Sequence, residues 1–244
     1  MQSEGGKRMK KILFLLLLLA FLCTGCGSQG AAPETASDTV PEILDQSEYV
    51  LYQNVFYKDY GKELAGSAVT KRGVLAAVQD AFKQRTRYYV WGYMDTTKCC
   101  DWQWEFVPED PASLPPVGSL IRVRGTFAAS GDALDGYWIE GAAVEEETRY
   151  TGQTAELNMC AMSCTLERVQ MLNILYKSAY FEGKTFAAYG RIAAPDTLQD
   201  PYYDGSWQIA FSADKQSPAI GTQVVLRGTV AGGALSGCSL TEAG

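Results

Sequence analysis

The chain contains no histidine. That excludes a Ser-His-Asp triad, a Cys-His dyad, HExxH zinc chemistry and a histidine proton shuttle. Net positive charge is missing too. The formal charge at pH 7 is −7, the wrong sign for a phosphate-binding surface, so no nucleic-acid partner is expected. Long apolar runs are also lacking. The longest, 12–22, has 11 residues, against about 20 for a helix that spans a bilayer. No Cys-x-x-Cys sits on a thioredoxin-like pattern, so a thiol-disulfide enzyme ranks last among the possible functions. Asp101 and Glu105 read as solvent-facing acids of a strand rather than a catalytic pair. The expectation is a protein that is not an enzyme.

The N-terminus points to the compartment. Lys7, Arg8, Lys10 and Lys11 precede the apolar run, as in a secretory signal. Leu22-Cys23-Thr24-Gly25-Cys26-Gly27-Ser28 follows and resembles the lipobox of bacterial lipoproteins, in which the cysteine after the cut is lipidated. Cys23 stands where the usual leucine would be. A plain signal peptide cut nearby, leaving a free secreted protein, is the alternative. Cleavage before Cys26 leaves 21 − 4 basic and 28 − 1 acidic residues, a net charge of −10. Residues 1–25 therefore read as signal peptide and 26–47 as a flexible tether, rich in Ala, Ser, Thr and Pro. The expected location is the extracytoplasmic face of the cell membrane, with a lipid anchor holding the protein to it.

The chain as a whole is 47% hydrophobic, and its bulk can fold. It contains an internal repeat. Trp102-Gln103-Trp104-Glu105-Phe106 recurs as Trp207-Gln208-Ile209-Ala210-Phe211. The pair Gly118 and Gly125 recurs as Gly221 and Gly228, and the pair Gly66 and Gly73 as Gly183 and Gly190, all seven residues apart. Leu134-Asp135-Gly136 is matched to Leu235-Ser236-Gly237, which sets Cys238 opposite Tyr137. The intervening segments are β-prone, and the glycines mark bends. The fold class that follows is mainly β: two tandem OB-like small Greek-key barrels, with one short helix before the second. A β-sandwich is the alternative. The first barrel is assigned to 48–145, a linker to 146–156, and the helix with the second barrel to 157–244. Thr165 is expected to cap that helix, which would plug the second barrel.

Seven cysteines are present, and five remain once Cys23 and Cys26 are set aside. Cys99, Cys100, Cys160 and Cys164 form two close pairs. They suit a disulfide, a thiolate site for Zn²⁺ or Cu⁺, or reduced structural thiols, and the spacing leaves all three open. No cofactor is required, and zinc is possible. Isolated Cys238 reads as a buried small hydrophobe.

The stretch Asp95-Thr96-Thr97-Lys98-Cys99-Cys100-Asp101-Trp102-Gln103-Trp104-Glu105-Phe106-Val107-Pro108, with the strand between Gly118 and Gly125, resembles an uncharacterised group of lipoproteins from anaerobic Gram-positive bacteria. Residues 157–192 are similar to that group's short strand, helix and Gly183-Lys184-Thr185 entry into a barrel. The resemblance covers about two thirds of the mature chain. It implies an OB-like barrel, a paired-cysteine motif and an extracytoplasmic location, and no established activity. It also implies association with metal transport systems in some members. In the second repeat, Asp204-Gly205 stands where the first has Cys99-Cys100.

The leading expectation is a non-enzymatic binding or scaffold module with a protein, glycan or transporter partner. OB barrels often bind along an aromatic sheet face, and Tyr89, Trp91, Tyr93, Trp102 and Trp104 are the ligand-face candidates. The alternative is a thiolate metal-binding lipoprotein that assists a metal transport system.

Overall fold

The computed structural model describes residues 35–57, 60–98, 100–203, 205–213 and 216–243. The signal segment 1–25, the lipid acceptor Cys26 and the tether up to residue 34 lie outside the described residues, as does Cys99.

Each repeat opens with a capped helix. Asp45 Oδ1 accepts from the backbone N–H groups of Ser47 and Glu48 and starts α1 (Gln46–Tyr57). Ser163 Oγ accepts from the N–H of Leu166 and starts α3 (Cys164–Tyr176). A single-turn helix follows each: α2 (Gly61–Leu64) and α4 (Ser178–Phe181). Gly66 and Gly183 then take φ of 85° and 79°. This left-handed turn admits glycine without strain and aims the chain into the first barrel strand.

Strands β2 (Ala68–Asp80), β3 (Arg85–Tyr93), β4 (Asp101–Pro108), β5 (Leu120–Ala129) and β6 (Tyr137–Tyr150) close into one barrel in the order β2-β3-β4-β6-β5-β2. Strands β8 (Thr185–Ala194), β9 (Thr197–Gln199), β10 (Gln208–Ala213), β11 (Gln223–Ala231) and β12 (Ala234–Glu242) close a second in the same order, β8-β9-β10-β12-β11-β8. The third and fifth strands of each ring are parallel and the other pairs antiparallel. These are two tandem Greek-key barrels of the OB type. The closed rings decide against a sandwich. A short strand adds in parallel to each: β1 (Thr35–Ser37) to β6, and β7 (Leu157–Asn158) to β8.

The register makes the repeat concrete. Phe106 pairs with Ile139, and Phe211 with Leu235. The antiparallel ladders shift between Arg124 and Thr126 and between Arg227 and Thr229, at the repeated Gly125 and Gly228. The Trp102 and Trp207 segments are equivalent, but one sequence match is out of register. Leu235-Ser236-Gly237 corresponds to Ile139-Glu140-Gly141, not to Leu134-Asp135-Gly136, and Gly141 and Gly237 share φ of 57° and 58°. Cys238 therefore stands opposite Ala142 rather than Tyr137. The cause is a hairpin loop of 130–136 in the first barrel against 232–233 in the second.

Three further expectations need correction. The tether does not run to residue 47. β1 pairs with Thr148, Arg149 and Tyr150, and the N–H of Tyr93 donates to the Ile43 carbonyl at 2.7 Å. The linker placed at 146–156 begins inside β6, whose residues pair with β5 as far as Thr148. The helix before the second barrel is capped by Ser163, and Thr165 lies within its first turn. Residues of Thr35–Gly244 group as one unit.

Side chains alternate across the first barrel wall. Leu75, Val90, Trp102, Trp104 and Phe106 fill its interior. Val74, Ala76, Val78, Tyr89, Trp91 and Tyr93 point outward, yet are buried in one cluster with α3 and the interior of the second barrel. The wall is thin at Gly92. A β-carbon there would come within 2.5 Å of the Trp102 ring and 2.9 Å of the Ile43 carbonyl oxygen. Gly92→Ala should therefore destabilise the fold by about 1–3 kcal/mol through overpacking. Urea unfolding measures this, and an unchanged midpoint would contradict it.

Candidate functional site

The outward residues of β4 are acids and an amide, and they are covered. Asp101 and Glu105, expected to face solvent, are both buried. They alternate with Trp102, Trp104 and Phe106, so a covered outer face forces them to find partners. Asp101 finds them at the N-terminus of α3. Its Oδ2 accepts from the N–H of Thr165 at 2.9 Å and the thiol of Cys164 at 3.1 Å, and its Oδ1 accepts from the Thr165 hydroxyl at 2.8 Å. A carboxylate at a helix N-terminus satisfies exposed N–H groups and complements the helix dipole. Three more bonds cross the same junction. Trp91 Nε1 donates to the Ala161 carbonyl at 3.0 Å, and the N–H groups of Gln79 and Ala81 donate to the side chains of Gln170 and Asn173.

The same packing changes the role of the expected ligand face. Trp102 and Trp104 lie in the interior of the first barrel, and Tyr89, Trp91 and Tyr93 are buried at the junction. None of the five forms an open platform, because the second repeat docks on the face that would have been free. The junction is not filled completely. A cavity of about 290 Å³ has Trp91, Tyr93, Lys98, Cys160, Tyr189 and Tyr202 in its wall. A second, of about 340 Å³, is lined by Thr97, Lys98, Cys164, Pro201, Tyr202 and Tyr203. Lys98 and Tyr202 border both, so the two adjoin as one groove. Lys98 Nζ pairs with Glu42 at 2.5 Å across its mouth. Tyr189 and Tyr202 come from the second barrel and were not singled out in the sequence. Their only signal was the repeat itself, which predicts a second barrel able to face the first.

Two of the cysteines, Cys160 and Cys164, border this groove. Cys100 is half-buried at the entry to β4, and Cys160 is half-buried in the 3-10 turn Met159–Ala161. Cys164 is buried in the first turn of α3. Cys160 and Cys164 carry free thiols. Burial, with the Glu167 carboxyl nearby, pushes the Cys160 thiol up to about 12. Burial and Asp101 do the same to Cys164. Both groups are therefore protonated at neutral pH, the reverse of an activated thiolate. Among the described residues, no three Cys, Asp or Glu side chains are gathered to hold an ion. Cys99, the remaining candidate, lies outside them. Cys238 is buried against Gly228 in the second barrel.

A second polar cluster ties the far side of the first barrel. Arg87 donates to Asp80 at 2.9 Å and to both oxygens of Glu105 at 2.9 and 3.1 Å, and the N–H of Leu134 completes the Glu105 shell. Arg87 is consumed by these bonds and offers no free guanidinium to a ligand. Half-buried Asp135 stands beside them, its carboxyl raised to about 6 by burial and by the Glu105 charge. No family model matches the chain, and no curated protein matches it.

Two outcomes follow. Asp101→Ala removes the three bonds that Asp101 accepts from the first turn of α3, and should cost about 1–3 kcal/mol in chemical unfolding. Asp101→Asn, which keeps one acceptor, should cost less. Asp135 holds its proton to about pH 6 when folded, but only to about pH 4 when unfolded. The native state therefore binds the extra proton between those values, and this group makes stability fall as pH rises through them. Asp135→Asn should raise stability at pH 7 by on the order of 1–2 kcal/mol and leave it nearly unchanged at pH 4. Urea midpoints at the two pH values measure the difference.

Proposed function

We propose that this chain is a non-enzymatic binding module, held at the extracytoplasmic face of the cell membrane by a lipid on Cys26. The basic cluster, the apolar run 12–22 and the Thr24-Gly25-Cys26 junction support the anchor. The groove between the barrels carries the binding reading. It draws aromatic side chains from both repeats to one place, beside the loop that leads to Cys100. Clefts of this size, mostly preformed and edged by a few polar groups, are the usual form of a small-molecule site. The ligand is a small molecule or the exposed end of a glycan or peptide, since the cavities of about 290 and 340 Å³ admit little more. The resemblance to uncharacterised lipoproteins of Gram-positive anaerobes fits the same reading. The alternative thiolate site for Zn²⁺ or Cu⁺ gains no support from Cys160 and Cys164, both of which favour the protonated thiol.

Two measurements test the proposal. In a Triton X-114 partition of expressing cells, the wild-type chain should enter the detergent phase and Cys26→Ala the aqueous phase. Equal partition of the two would remove the anchor. Purified protein titrated calorimetrically with cell-wall disaccharides, short exported peptides and small amines should give saturable heat with one of them. Tyr202→Ala should weaken that binding at least tenfold. A complete lack of saturable binding, or binding that ignores Tyr202→Ala, would end the groove reading.

A further inference from the structure

The walls of the groove hold one acid and one base. Among the described residues, Glu42 is the single carboxyl that lines it and Lys98 the single ammonium. Backbone bonds on either side of Tyr93 place them. The Tyr93 N–H donates to the Ile43 carbonyl at 2.7 Å, and the Asp45 N–H donates to the Tyr93 carbonyl at 2.8 Å. The segment before α1 is thus stitched to the end of β3, which sets Glu42 at the groove. The turn after β3 is fixed by Asp95, whose Oδ1 accepts from the Thr97 N–H at 2.9 Å and from the Thr97 hydroxyl at 2.6 Å. Lys98 follows at φ of 56°, a left-handed backbone uncommon for a residue with a β-carbon. Strain of this kind gathers at ligand clamps and other functional sites.

The ion pair built in this way is easily exchanged. Lys98 Nζ meets Glu42 Oε1 at 2.5 Å, yet the two side chains are 42% and 55% exposed. A pair so open to water contributes little to stability. The four-carbon stem of Lys98 leaves its ammonium free to swing away from Glu42. Beside the pair stand apolar and aromatic side chains: Val40, Met162, Trp91, Tyr93, Tyr189 and Tyr202. Trp91 and Tyr93 lie edge to face with centroids 5.1 Å apart, and the Trp91 indole N–H is already bonded to the Ala161 carbonyl. This surface suits an apolar side chain. A ligand bearing only an anion would satisfy Lys98 and strand Glu42, and one bearing only a cation would do the reverse. A ligand with both charges side by side pairs with each and leaves neither alone.

We propose that the groove binds a free α-amino acid with an apolar side chain. Its carboxylate pairs with Lys98, its ammonium pairs with Glu42, and its side chain rests among Trp91, Tyr93, Tyr189 and Tyr202. This rests on the binding-module reading and gives its ligand a chemical class. Lys98 and Glu42 otherwise pair with each other, so binding exchanges one ion pair for two. A neutral sugar engages neither charge. An internal peptide segment, whose amino and carboxyl groups are joined in amides, presents neither charge.

The test uses L-phenylalanine, its N-acetyl form, its amide and the doubly blocked N-acetyl amide, four probes with one side chain. Calorimetry on the purified chain is run at pH 6, where their free amines and carboxylates are charged. The wild type should bind the free amino acid at least tenfold tighter than any blocked form. Lys98→Met keeps the stem and removes the charge, and should erase the preference over the amide while leaving that over the N-acetyl form. Glu42→Gln should do the opposite. Circular dichroism and the melting temperature report whether each variant is folded. Should one fail to fold, the ranking of the four probes on the wild type decides alone. Equal binding of the four, or preferences unaltered in both variants, would overturn the amino-acid assignment. If Tyr202→Ala then weakened all four alike, the groove would stand as a site that reads the side chain only. Failure of both L-phenylalanine and L-leucine to bind overturns the assignment too, while the disaccharide and peptide titrations judge the groove separately.

Discussion

The carboxylate of Asp101 holds the first turn of α3, and the arrangement of the two barrels depends on that contact. A strand residue of the first repeat accepts bonds from the first turn of the helix that opens the second. Barrels linked only by a chain segment would be free to turn against each other. Here the Thr165 N–H at the helix terminus is satisfied by the neighbouring barrel, while Ser163 takes that of Leu166, so separating the repeats leaves a buried acid and a helix N–H unpaired. The Trp91 indole, the Gln79 and Ala81 amides and a continuous apolar cluster extend the junction on either side. Within the motif that first drew notice for its two cysteines, the following aspartate has the clearest structural role.

Docking by this route spends the sheet face on which OB barrels often take their ligands. Val74, Tyr89, Trp91 and Tyr93 become an internal surface. What remains accessible is the seam where the two curved walls diverge, between the Lys98 turn and the loop carrying Tyr202. Closed convex bodies leave such gaps wherever they touch along a limited strip, and close packing elsewhere concentrates the unfilled volume there. In the proposed binding reading the site lies in a seam rather than on a face, and residues of both repeats share it. Tyr202 is 49% exposed and borders both cavities, the position from which one side chain controls the shape of the groove.

Much of the architecture was legible in the chain because glycine is demanded by backbone geometry. Gly66 and Gly183 need positive φ, and Gly125 and Gly228 sit at bulges, so their spacing survives when the side chains between them change. Where no backbone constraint acts, the reading slipped. The hairpin before β6 is longer than its counterpart, and a Leu-x-Gly match bridged that difference in the wrong register. Helix α1 falls almost wholly within the segment assigned to the first barrel, where no helix was expected, and it packs Val55 and Tyr52 against that barrel's core. Asp101 and Glu105 were misread for a different reason. Alternation placed them opposite the tryptophans, but whether that side is wet depends on a partner half a chain away. The groove was illegible on the same ground, since Tyr189 and Tyr202 acquire meaning only once the two barrels are docked.

The two repeats also show how a shared fold diverges in role. Position for position, Ser206 stands where the first barrel has Asp101, both preceding the conserved-in-register tryptophan. Ser206 caps no helix. It bonds Asp200 and receives Arg168, both local to the same corner of the groove. Asp200 in turn accepts from the N–H groups of Tyr202 and Tyr203 and so shapes the loop that presents those rings. The place used in the first barrel to grip the second is used in the second to build the wall of the shared cavity. One repeat holds and the other lines, and this asymmetry follows from a carboxylate in one and a hydroxyl in the other: the first can satisfy a helix terminus across an interface, whereas the second is suited to a local network of short bonds.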